Sequence, residues 1–236
     1  AKERHPHISD RDLRQLRATY YGMISEVDAQ IGRLVAFLQD TDCYDNTLIV
    51  FTSDHGEMLG DHWQLGKYGY FDQTFHVPLI VRDPRPEAAR RGCVVEAFTE
   101  SVDVMPTIGD WLGLEVPSTC DGESLLGLCR SEESIPWRSE VHFAFDFRNF
   151  TDDNEGPILG LKPDQCAFTV LRDEHFKYVH FTALPPLFFD LNEDPMEFNN
   201  VAEVPAYQER ILEYAQKLLS WRMNHEDRSP THVRLT

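Results

Sequence analysis

The stretch FTSDHGEMLGDHWQLGKYGY, residues 51–70, ends an apolar run in Asp54 and His55 and places Lys67 twelve residues beyond the histidine. An Asp oxygen beside a His nitrogen makes a plausible half of a divalent metal site, with the other ligands supplied from elsewhere. Lys67 is a compact cation on a flexible stem, suited to an oxygen of phosphate or sulfate. Together the three would bind a tetrahedral oxyanion and stabilise charge developing on it. Successive side chains of a strand point to opposite faces, so Asp54 and His55 converge only if the chain turns there, and Gly56 follows at once. The plainer reading of Asp-His-Gly after a strand is a turn in which the Asp caps backbone amides. Asp61-His62 is a rival pair, ranked lower because no strand delivers it to a sheet edge. Glu57 reads more simply as a solvated loop carboxylate than as a support behind the ligands.

Other chemistry is thinner. DLNEDP, from Asp190, begins like a calcium loop with Asp190, Asn192 and Asp194. That loop needs Gly at its sixth position and Glu at its twelfth, where Pro195 and Val201 stand, so a structural turn is expected. His142, His175 and His180 fall in apolar strands and read as core or surface histidines. No G-x-S-x-G, P-loop or GxGxxG is present.

The elements that must position residues 54–67 follow from periodicity. Ser9, three residues before Asp12, caps a helix over about 10–39, with Leu13, Leu16, Tyr20, Ile24, Val27, Ile31, Leu34 and Leu38 at steps of three and four. Gly22 and Gly32 inside it are read as marks of close packing. TLIVFTS, 47–53, suits a strand buried on both faces, as in a parallel sheet. HVPLIV, 76–81, reads as a strand whose Pro78 lies at an edge or near its start. CVVEAF, 93–98, reads as a short strand, and 101–112 as a helix capped by Ser101 and stopped by Gly113. In open α/β sheets the ligand crevice lies outside the carboxyl ends of strands, where Asp54 and His55 fall. From about residue 126 short alternating segments (WRSEVHFAFDF, CAFTVLRDE, HFKYVHF, LFFDL) predict a small antiparallel sheet. A last helix from near Pro205 carries Tyr207, Ile211, Tyr214, Leu218 and Trp221 along one side. Two domains are expected, 1–125 and 126–236.

The formal net charge of -18 excludes a non-specific nucleic-acid binder and argues against an anionic membrane surface. No apolar run reaches the roughly 18 residues that span a bilayer, and AKERHPHISD has no signal-peptide core. Five cysteines, an odd count without CxxC spacing, predict reduced thiols in a cytoplasmic protein.

FTSDHGEMLGDH, LGKYGY and HVPLIV, then ESVDVMPTIGDWLG with CDGESLL, then LFFDLNEDPMEFNN, resemble in order the C-terminal half of an arylsulfatase-type enzyme of the alkaline phosphatase superfamily. The Asp-His pair (many sulfatases carry Asp-Asn here) and HFKYVHFTALPPLFFDL look closest to the phosphonate monoester hydrolases. The resemblance implies an α/β fold: the C-terminal part of an alkaline phosphatase-like sandwich core, plus a small α+β subdomain with an antiparallel sheet. It implies that Asp54 and His55 ligate a divalent metal (calcium in many sulfatases, manganese in the phosphonate branch). Lys67 would hold a non-bridging substrate oxygen. The implied activity is hydrolysis of small sulfate, phosphate or phosphonate esters.

It also implies a nucleophile that these residues lack. The family's formylglycine arises from Cys within Cys-x-Pro-x-Arg, and none of the five cysteines has Arg four residues on. The expectation is a chain corresponding to the C-terminal half of such an enzyme, inactive alone, partnered by the missing N-terminal half or by further copies of itself. The alternative is a non-catalytic module that binds an anion or a partner on the same scaffold. A phosphoglycerate mutase-type isomerase is disfavoured by LFFDLNEDP.

Overall fold

The computed structural model describes residues 8–117, 119–130, 135–148 and 158–225. The chain forms a mixed α/β structure that divides into two compact units, Ala1–Glu96 with Ser101–Pro136, and Ala97–Glu100 with Trp137–Thr236. Among the described residues no helix is long and apolar enough to cross a membrane.

In the first unit α1 spans Asp10–Asp40, and the Ser9 side chain accepts from the Asp12 N–H as the capping pattern predicts. Leu13 and Arg17 tie its start to the loop that follows the first strand. A Cβ on Gly60 would meet Leu13 Cδ1 at 2.6 Å, and Arg17 Nε donates to the Leu59 carbonyl at 2.7 Å. Gly22 and Gly32 do not mark close packing here, because a Cβ at either would meet nothing within 4 Å.

Strand β1, Ile49–Thr52, pairs with β2, Leu79–Arg82, with Thr52 opposite Leu79. The pair is antiparallel and β1 is only half-buried, which corrects the parallel, doubly buried expectation. An apolar run reports what packs on a strand's faces, whereas strand direction is set by the connection. Here residues 53–78 carry the chain out through turns and the short helix α2, Asp72–Phe75, and bring it back reversed. Pro78 immediately precedes β2, where its missing N–H costs no ladder bond. Residues 93–98 are not a strand among the described residues. Their backbone has no ladder partner there, and Val94 is 79% exposed.

A 3₁₀ turn, Ser101–Asp103, leads into α3, Val104–Trp111, and Gly113 at φ 69° stops it. The Thr107 hydroxyl donates to the Asp103 carbonyl at 2.6 Å and accepts from the Leu125 N–H at 2.9 Å. The Asp103 carboxylate accepts from Glu123 N–H, and a Cβ on Gly122 would stand 2.2 Å from the Val102 carbonyl oxygen. Thus the DGESLL segment is pinned under α3 before the single-turn helix α4, Leu126–Cys129.

The second unit is a four-stranded antiparallel meander, β3 (Glu140–Asp146), β4 (Ala167–Asp173), β5 (Phe176–Phe181) and β6 (Leu187–Asp190), in sequential order. Its register aligns His142, Leu171, Tyr178 and Phe188 in one row. Helix α5, Gln208–His225, follows a 3₁₀ turn at Pro205–Tyr207 and covers that row with Tyr214 and Leu218. Tyr207, Ile211 and Trp221 pack around the same cluster, the side predicted from their spacing. Burying each large apolar side chain contributes about 1.5–3 kcal/mol, so this row is a hydrophobic core of the unit. On the other face the buried Lys177 and Glu197 pair at 2.5 Å.

Candidate functional site

β1 delivers Ser53, Asp54 and His55 directly beyond its last residue. The turn there is held in several ways. The Ser53 hydroxyl donates to the His55 carbonyl at 2.8 Å. The His55 N–H donates to Asp54 Oδ1 at 2.9 Å. The Gly56 N–H donates to the Thr74 carbonyl of α2 at 2.7 Å. Only glycine fits at position 56, since a Cβ would lie 2.0 Å from the Gln73 carbonyl oxygen.

The Asp54 side chain is 82% exposed, and its Oδ2 stands 3.4 Å from Nε2 of the partly exposed His55. His55 Nδ1 lies 2.8 Å from the Gly56 carbonyl, which can only accept, so Nδ1 carries the proton of that hydrogen bond. In the neutral ring Nε2 then directs a lone pair toward a carboxylate oxygen. Two acceptors at that spacing suit a cation shared between them, and a backbone carbonyl on the far nitrogen is how protein sites orient a ligating histidine. The donor pair therefore fits half of a divalent-metal shell. Among the described residues no group of three or more His, Cys, Asp or Glu side chains forms a complete one. The Asp54 carboxyl lies below its ordinary range, chiefly through the His55 backbone N–H, with the positive charge of Lys67 adding to the effect. Lys67 is exposed.

Between these residues the loop 57–66 closes on itself. Glu57 Oε1 accepts from Leu59 N–H at 3.2 Å and from Gly66 N–H at 2.6 Å. The Met58 N–H donates to the Gly66 carbonyl at 3.0 Å, and Gly60 N–H to the Gln64 carbonyl at 2.8 Å. Glu57 is thus a loop clamp rather than the solvated carboxylate expected. The pattern of side chains gives no hint of it, because its partners are backbone amides.

The rival pair is engaged elsewhere. Asp61 pairs with Arg17 at 3.2 Å and accepts from Gln73 at 3.3 Å. His62 is buried and stacked on Phe71, with ring centroids 3.7 Å apart. The DLNEDP carboxylates are occupied by their own turn: Asp190 accepts from Asn192 and from the Tyr207 hydroxyl, and Asp194 from the Asn199 N–H. His175 contacts Asn192, His180 contacts Tyr178, and His142 stacks on Trp221 at 4.4 Å.

This fold, with an Asp-His turn at a strand end and a lysine beyond a clamped loop, is that of a sulfatase-type protein. The chain belongs to the sulfatase family: the Sulfatase family model matches residues 1–114, and that of the N-sulphoglucosamine sulphohydrolase C-terminal family matches residues 60–224. It is 50% identical over 227 residues to the multifunctional alkaline phosphatase superfamily protein PehA of Trinickia caryophylli, across 96% of this chain and 44% of that protein. It is 34% identical over 208 residues to arylsulfatase K of Gallus gallus, across 83% of this chain and 35% of that one. The crystal structure of a phosphonate monoester hydrolase of Agrobacterium radiobacter superposes with a TM-score of 0.88 at 48% identity, covering 97% of this chain and 45% of that one. The chain spans less than half the length of these relatives.

Proposed function

We propose that these residues are the C-terminal part of a metal-dependent hydrolase of sulfate, phosphate or phosphonate esters. The observation that carries the reading is the Asp54–His55 pair, a carboxylate oxygen and an imidazole nitrogen 3.4 Å apart at the end of β1. Its membership of the sulfatase family and its likeness to a phosphonate monoester hydrolase support the same chemistry. In this reading Asp54 and His55 hold one side of a divalent cation, calcium or manganese. That cation, when bound, polarises the ester and neutralises charge on its oxygens. Lys67 binds a non-bridging oxygen and stabilises charge as it accumulates on sulfur's or phosphorus's substituents. The small ester is the partner recognised. No cysteine of this chain has Arg four residues on, so the nucleophile comes from a polypeptide segment outside these 236 residues, and the chain alone is inactive. Five free thiols, among them exposed Cys43 and Cys93, suit a reducing, cytoplasmic setting.

The test uses the full-length polypeptide that carries these residues, assayed on an aryl sulfate, a phosphodiester and a phenylphosphonate monoester. Turnover of at least one is expected, with Lys67→Ala lowering kcat/KM by about 100-fold. Binding of an oxyanion without turnover of any of the three would instead favour a non-catalytic module. Turnover by the 236-residue chain alone would refute its proposed dependence on a second segment.

A further inference from the structure

We propose that Glu57 is a positioning residue that fixes Lys67 relative to Asp54 and His55. The inference rests on the reading of Lys67 as the oxyanion-binding cation.

Lys67 is exposed, so packing does not place it, and its backbone must. The residue before it is held from both sides. The Gly66 N–H donates to Glu57 Oε1 at 2.6 Å, and the Gly66 carbonyl accepts from the Met58 N–H at 3.0 Å. Gly66 sits at φ +79°, a conformation that a side chain would strain. The other end of this clamp is equally fixed. Only Gly56 separates Glu57 from His55, and its N–H is bonded to Thr74 of α2. Met58 is fully buried, with the Thr74 hydroxyl 3.3 Å from its sulfur. A short, anchored path therefore links the Asp54–His55 turn to Glu57. One hydrogen bond then spans the nine residues to Gly66, and Lys67 follows. Without the Glu57 oxygen, Gly66 N–H and Leu59 N–H lose their acceptor, and the loop 59–66 no longer sets where the lysine stem begins. Small displacements of a binding group away from its reacting centre weaken it sharply.

What Gly66 and Leu59 need from residue 57 is an acceptor oxygen at the right reach, not a negative charge. Glutamine retains that oxygen and alanine removes it. The experiment measures inorganic phosphate binding by calorimetry in the metal-loaded full-length polypeptide, for Glu57→Ala, Glu57→Gln, Lys67→Ala and Glu57→Ala/Lys67→Ala. Glu57→Ala is expected to weaken phosphate about tenfold, and Glu57→Gln to stay near the parent. In the Lys67→Ala background, Glu57→Ala is expected to add little, because its effect passes through the lysine. Additive losses would overturn the inference and make Glu57 a general structural residue. So would a parent-like Kd in Glu57→Ala while Lys67→Ala is weakened. An equal loss in Glu57→Gln would overturn it by showing that the charge itself matters. Unchanged phosphate binding in Lys67→Ala would instead refute the role given to the lysine. Should Glu57→Ala fail to fold, Glu57→Asp, which shortens the reach by one methylene, is expected to show the same dependence on Lys67.

Discussion

His55 is oriented by the bond from Nδ1–H to the Gly56 carbonyl, and that bond leaves Nε2 facing Asp54. If the pair holds a divalent cation, each side chain contributes separately to its affinity. Asp54→Ala and His55→Ala in the full-length polypeptide are expected to lower the metal retained after dialysis, measured by elemental mass spectrometry, with Lys67→Ala leaving it at the parent level. Equal metal content in all three would remove Asp54 and His55 from the ligand set. The turn that brings Asp54 and His55 together is legible in the sequence because its signal is local: polar side chains and a glycine placed abruptly after an apolar run. Asp61-His62 carries the same letters, yet its carboxylate is bound to Arg17, 44 positions away in sequence, a partner that no local pattern names. Glu57 escapes sequence reading for a related reason, since backbone N–H groups are present at nearly every residue and leave no trace in composition.

At the scale of elements, the site turn is a joint between β1 and α2. The obstacle at Gly56 is a backbone oxygen, so it cannot rotate aside as a side chain would. Gly56→Ala is expected to cost about 1–3 kcal/mol and to raise hydrogen exchange at Gly56 and Thr74 amides before other parts of the first unit. Exchange unchanged at both amides would show that the joint yields easily. The meander and α5 are readable from their apolar spacing because each packs one face on a core. The β1–β2 direction and the absence of a strand at 93–98 are not, because both depend on what lies alongside rather than on the run itself. Within the second unit, His142 on β3 has its pKa depressed from 6.5 to about 4, first by burial and then by the positive charges of His225 and Arg138. Glu140 and Glu100 face it at 3.7 and 4.0 Å. A depressed histidine binds its proton more readily when unfolded. Its contribution to stability is therefore complete above pH 6.5 and lost as pH falls toward 4. His142→Phe preserves a ring for the Trp221 stack and removes the titration. Its melting temperature is expected to vary less than the parent's over that window; an identical slope would assign the pH dependence to other groups.

Over the whole molecule the balance of apolar surface is uneven. In the second unit both faces of the sheet bury apolar side chains, Phe168, Val170, Val179 and Phe189 on one and the row packed by α5 on the other. In the first unit α1 has no buried residue, and Tyr21, Met23, Ile24, Val27, Leu34 and Phe37 are each at least 50% exposed along it. A helix in a chain of net charge -18 does not normally present such a face to water. The relatives offer an explanation, because this chain spans only 44% of PehA and 45% of the Agrobacterium radiobacter hydrolase. On the function proposed above, the segment that supplies the nucleophile would also cover α1, so one association would complete core and site together. The 236-residue chain alone is then expected to bind a hydrophobic dye and self-associate in sedimentation velocity, whereas the full-length polypeptide does neither through this face. Single substitutions Ile24→Glu and Val27→Glu are expected to improve the short chain's solubility and to abolish hydrolysis in the long one. A monomeric short chain that ignores the dye would contradict this account. A discrete dimer whose formation those substitutions abolish, with full activity retained in the long polypeptide, would assign the face to a second copy.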